Sequence, residues 1–89
     1  MTAGSVERRR EKRVPASGEV ILQVEPPVSQ EVRGELIDVS PSGFRVRHAN
    51  ASLQSGMVVE FRHALGAGKA RVAWNRILSG CVESGFFLS

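Results

Sequence analysis

The chain has one cysteine, five aromatic residues and no long apolar run. A single thiol, Cys81, excludes an internal disulfide, and Met1-Thr2-Ala3-Gly4-Ser5 leads into no apolar segment of the kind a secretory signal needs. A reducing cytoplasm is therefore the expected compartment. No stretch approaches the roughly 20 apolar residues of a membrane span, so membrane insertion is not expected. His48 and His63 stand at no metal-ligand spacing from Cys81 or from each other, and no metal is expected. There is no nucleophile elbow or oxyanion-hole signature, so the chain does not read as an enzyme. The aromatics are few and fall mostly on inward-facing parity, which leaves a single-stranded nucleic acid without a stacking platform.

What is present is unevenly charged. Residues 1–13 hold Arg8, Arg9, Arg10, Lys12 and Arg13 against Glu7 and Glu11, a net +3. Residues 14–89 hold seven Lys/Arg against seven acids and are neutral. A basic head on a neutral body points to an anion met at one place, not to a surface laid along a polyanion.

At 89 residues the chain is one small domain. It divides at Val14: residues 1–13 lack apolar periodicity and read as a flexible arm, and residues 14–89 read as strands. Glu19 to Val24 is a short apolar run ended by Pro26-Pro27. Glu31 to Val39 follows, with Ile37 and Val39 expected inward and Gly34 marking a bulge or bend. Gly43 to Arg47 alternates, with Phe44 and Val46 inward and Arg45 and Arg47 outward. His48 to Gly56 is a polar loop with Leu53 tucked in. Met57 to His63 puts Met57, Val59 and Phe61 inside, and Gly66 to Gly68 is expected to turn the chain. Lys69 to Arg76 puts Ala70, Val72 and Trp74 inside, and Cys81 to Leu88 is a last strand broken at Gly85. Six short strands at this spacing, with no amphipathic helix of core length, predict an all-β fold. The expected form is a small six-stranded antiparallel β-barrel, since closure removes two exposed edges.

One stretch stands out. Asp38 and Ser40 lie two apart on a strand end and leave the same face. Ser40-Pro41-Ser42-Gly43 then reads as a type I turn, with Pro41 presetting φ at its second position. The pattern Asp38-Val39-Ser40-Pro41-Ser42-Gly43 has the form DxSxxG. About 25 residues earlier, Arg9 to Arg13 has the form RxxxR. Arg8…Lys12 is a competing frame in which lysine takes the second place.

This pair of motifs, in this order and flanking a first strand, resembles the PilZ domain, the bacterial receptor module for cyclic di-GMP. The resemblance runs from about Glu7 to Leu88. It implies a six-stranded barrel whose arginine arm folds over a nucleotide on the outer surface. The ligand would then be cyclic di-GMP, with Arg9, Arg13, Asp38, Ser40 and Gly43 as its contacts. Arginine forks suit phosphates and the O6/N7 edge of guanine. Asp38 can accept from guanine N1–H and N2–H, with Ser40 in support. Gly43 lets the ligand or the turn backbone come close. In this family an arginine just before RxxxR goes with an intercalated pair of ligands, so Arg8 implies two nucleotides per chain. Arg71 and Arg76 either border the ligand or are ordinary surface. With no output domain after Ser89, the signal is expected to pass in trans to an unidentified protein as the arm orders. Two other readings stay open: a small barrel binding single-stranded nucleic acid, and a PilZ-like adaptor that binds only protein.

Overall fold

The computed structural model describes residues 12–89. Among these residues there is no helix. The strands are β1 (Val14–Pro15), β2 (Glu19–Val24), β3 (Glu31–Ser40), β4 (Gly43–His48), β5 (Val58–His63), β6 (Gly66–Leu78) and β7 (Cys81–Leu88). Six of them run in the order β3-β2-β5-β6-β7-β4, and a β3–β4 pairing joins the two ends into a closed antiparallel barrel. The two-residue β1, with Pro15 in it, was not expected as a strand. It lies outside the ring on β3, with Val14 opposite Val39 and Pro15 opposite Asp38.

Alternating side chains fill the barrel. Leu22, Phe44, Val46, Val59, Ala70, Val72 and Phe86 are all buried in one apolar cluster. Phe44 is its hub, 4.6 Å from Phe61 and stacked 5.0 Å from Phe86 between ring centroids. Leu53 plugs one end from its loop, and Met57 packs on the cluster just before β5 begins. Burying a large aliphatic or aromatic side chain contributes about 1.5–3 kcal/mol, so this interior supplies most of the driving force.

Two β-bulges shift the inward parity, and both were missed. Between Leu36 and Asp38 the register of β3 against β4 slips by one residue. Leu36, not Ile37, is then buried, and Val39 still packs on the core beyond the slip. The slip sits there and not at Gly34, whose missing side chain instead admits the Arg47 carbonyl and the Val46 side chain: a Cβ would lie 2.6 Å from each. A second slip falls between Val72 and Trp74 on β6. It carries Trp74 out of the expected core and onto the outer face. An extra residue in one strand sends the following side chain to the opposite side of the sheet.

The expected turn at Gly66 to Gly68 is also displaced. His63 faces Gly66 and Phe61 faces Gly68 across the β5–β6 ladder, so the turn is Ala64–Leu65. The glycines are strand residues there, with the Phe61 ring over Gly68 in ordinary contact at 3.6 Å from a would-be Cβ. Likewise β7 is not broken at Gly85 but runs unbroken from Cys81 to Leu88.

Candidate functional site

The corner between β3 and β4 is built by a two-residue connection. Ser40 faces Gly43, and Pro41 and Ser42 turn the chain. The Leu88 N–H donates to the Ser42 carbonyl at 2.8 Å and ties the corner to the end of β7. Gly43 is required by this packing: a Cβ there would sit 1.9 Å from the Phe86 carbonyl oxygen. The group that comes close at Gly43 is neither the ligand nor the turn backbone expected there but the backbone of the neighbouring strand β7. The Ser40 hydroxyl turns to its own hairpin, donating to the Gly43 carbonyl at 3.4 Å, a long contact.

Counting back from that turn puts Val39 opposite Phe44 and Asp38 opposite Arg45. Val39 and Phe44 face the core, so Asp38 and Arg45 face outward. The bulge makes this possible: unbroken alternation from buried Leu36 would have sent Asp38 into the apolar interior. Asp38 is nonetheless only 6% exposed, because arginines cover it. Arg45 Nε lies 3.1 and 3.0 Å from the two carboxylate oxygens, and Arg45 also donates to Asp38 through a terminal nitrogen. Arg13 adds a hydrogen bond of 3.1 Å from the other side. Strand β1 places it there, since Pro15 is registered on Asp38 and Arg13 is two residues upstream. The hydrogen bonds from Arg45 hold the Asp38 carboxyl below its ordinary pKa; burial opposes this, and the charges of Arg45 and Arg13 reinforce it. Asp38 in turn raises the pKa of Arg45.

The row continues across the sheet. Arg45 is registered on Gly85 of β7, and Gly85 on Trp74 of β6. The Trp74 indole lies against Gly85: a Cβ would come within 2.4 Å of ring atoms Cε2 and Nε1. Next to it, the Arg76 guanidinium sits 5.8 Å from the centre of the Trp74 ring while donating to Glu83 at 2.6 Å. One row nearer the corner, Phe87 is paired with Gly43 and with Arg71 and is 58% exposed. The outer face beside Asp38 therefore carries two aromatic surfaces and several guanidinium groups. Such a surface can stack a planar base, fork onto a phosphate and accept hydrogen bonds through a carboxylate.

The structure thus brings Arg13 to Asp38 and puts Ser40 and Gly43 at the adjacent turn. Arg8 and Arg9, and with them most of the expected arm, lie outside the described residues. Sequence reasoning missed Arg45 and Trp74 as neighbours of this carboxylate. The first was within reach, because a two-residue turn at Pro41–Ser42 fixes Asp38 opposite Arg45. The second left no signal, because a bulge at Ala73 cannot be read from alternation.

No three His, Cys, Asp or Glu side chains group as a metal site among the described residues, and among them no helix is long and apolar enough to cross a membrane. Compared with known families, the chain matches the PilZ domain over residues 7–80, which takes in the arginine arm, the Asp38–Gly43 corner and the strands to β6. No curated protein matches it.

Proposed function

The chain belongs to the PilZ domain family, a family of cyclic di-GMP-binding modules, and from that premise we propose that it is a cytoplasmic cyclic di-GMP receptor. The observation that carries this reading is the meeting of Arg13 and Asp38, 25 residues apart in the chain, on one outward row of the barrel. Arg13, with Arg8 and Arg9 from the arm, would supply forks for phosphates and guanine O6/N7 edges. Asp38 would accept from guanine N1–H and N2–H, with Ser40 and Gly43 shaping the corner beside it. Trp74 and Phe87 add faces on which guanine can stack. The proposal includes two nucleotides per chain, as an intercalated pair, on account of Arg8. The output is a change of surface: the arm closes over the nucleotide and presents a new face to a partner protein. The role is binding, without catalysis and without a cofactor.

Calorimetric titration with cyclic di-GMP, with GTP and cyclic GMP as controls, tests this. Saturable heat with cyclic di-GMP alone, near two nucleotides per chain, is the expected result. A ratio of one removes the paired ligand, and no heat removes the receptor reading.

The outward position of Trp74 also favours a second reading, a single-stranded nucleic acid laid across the same face. Salt separates the two. A polynucleotide loses affinity steeply as salt rises, whereas a dinucleotide with two charges has a shallow slope.

A further inference from the structure

The acceptor that would read the guanine is already occupied. Asp38 is buried, and Arg45 donates to both of its oxygens while Arg13 donates to one. A carboxylate offers about four acceptor positions, and three N–H groups, with the Arg45 Nε–H shared between both oxygens, leave at most one of them open. Guanine N1–H and N2–H would need the same oxygens. Both partners cannot be served together.

We infer that Arg45 is an internal competitor for the guanine-reading carboxylate, and that binding exchanges Arg45 for the base on Asp38. The inference rests on the cyclic di-GMP reading above. The geometry favours exchange at Arg45 over loss of Arg13. Arg13 enters from β1 and bonds only one carboxylate oxygen, so its loss would free too little for the two guanine donors. Arg45 enters from β4, on the side of the open face that Trp74 and Phe87 border, and it alone bonds both oxygens, so only its departure frees the pair of acceptors that a guanine edge needs; its side chain is 29% exposed. It therefore has room to move without disturbing the core. Glu83 lies one row away and already adds to the electrostatic field that favours the Arg45 charge, so a displaced guanidinium stays beside an acid. In the free protein Arg45 thus keeps a buried carboxylate hydrogen-bonded, and in doing so it sets the ligand concentration at which the site fills.

Titrating native protein and Arg45→Met with cyclic di-GMP tests this. Methionine keeps the apolar stem and removes the competing donors, while Arg13 still partners Asp38. The variant is expected to bind about tenfold tighter, the equivalent of one charge-assisted hydrogen bond no longer broken on binding. Equal or weaker binding by a folded variant, with normal binding by the native protein, overturns the exchange and leaves the receptor reading in place. Absence of binding by both proteins overturns both. A second readout needs no variant: the Arg45 Nε–H resonance of the native protein, followed by nitrogen–proton correlation NMR. It is expected to shift and exchange faster with water once the protein is saturated. An unmoved, protected signal at saturation overturns the exchange.

Discussion

Trp74 rests on Gly85, and the fit is tight enough that a single added methyl group would overlap the indole at 2.4 Å. Gly85 is buried although it faces outward, because the ring covers it. Gly85→Ala is therefore expected to push Trp74 off the barrel wall while the core behind it keeps its packing. Overfilling a close contact costs about 1–3 kcal/mol, which chemical denaturation would register as a lower midpoint. Trp74 is the single tryptophan, so intrinsic fluorescence reports its position directly. A red-shifted emission in the folded variant is the expected outcome, together with weaker binding of cyclic di-GMP. Native emission in Gly85→Ala would show that the indole does not depend on the glycine.

Arg13 and Asp38 differ in what their loss should do. Arg13 is 44% exposed and makes one bond to Asp38, so Arg13→Ala leaves the carboxylate paired with Arg45 and the fold intact. Its ligand affinity should fall at least about tenfold, since one charge-assisted bond contributes about 1.5–3 kcal/mol. Asp38→Ala should also nearly abolish binding, but it leaves Arg45 without its main partner. Circular dichroism and thermal melting then separate the two. Arg13→Ala should melt close to the native protein, and Asp38→Ala below it. Unchanged titrations in both variants would remove these residues from the site.

The barrel was legible because its inward residues alternate over whole strands. Phe44 and Val46, Val59 and Phe61, and Ala70 and Val72 all follow the pattern and all are buried. Leu53, expected to tuck under from a polar loop, does so at 5% exposure. What was illegible lies where the period breaks. One inserted residue near Ile37 and another near Ala73 invert the faces that follow, and no residue type announces them. Those two bulges govern the candidate site: the one at Ile37 leaves Asp38 facing outward, as its alternation with Val39 implied, and the one at Ala73 turns Trp74 outward against expectation. The glycines misled for a related reason. Gly66, Gly68 and Gly85 read as turns or breaks, yet Phe61 covers Gly68 and Trp74 covers Gly85 within continuous strands. The two-residue β1 was too short and too near Pro15 to be seen, although it sets Arg13 beside Asp38.

Gly43 can be tested apart from any ligand. Its would-be Cβ collides with the Phe86 carbonyl, a backbone atom that cannot rotate aside. Gly43→Ala should therefore force β4 away from β7 and lower stability by at least about 1–3 kcal/mol. The loss should appear in urea denaturation with no nucleotide present. A variant as stable as the native protein, but impaired in binding, would instead assign this glycine to ligand approach.

At the far end of the barrel, His48 sets an acid limit on the fold. The Asn50 N–H donates to His48 Nδ1 at 3.0 Å, so Nε2 carries the ring proton and donates to the Ser84 hydroxyl at 2.7 Å. Ser84 donates onward to Asn75 Oδ1, and the Asn75 amide donates to the Leu53 carbonyl at 2.8 Å. A second ring proton would meet the Asn50 N–H head-on and break the first link of this chain. Burial pushes the His48 pKa below its ordinary value of 6.5, so the folded state favours the neutral ring. The unfolded chain then binds the extra proton first. The stability that His48 contributes is whole above about pH 6.5 and is lost as pH falls from there through the depressed folded-state value. Lowered Asp38 acts in the same direction at more acid pH, its contribution present above about 3.8 and lost as pH falls through the folded value. Denaturation midpoints measured from pH 7.5 down to pH 5 should fall for the native protein. They should fall less for His48→Gln, whose amide can still reach Ser84 but does not titrate. Equal slopes in the two proteins over that interval would take the acid sensitivity away from His48.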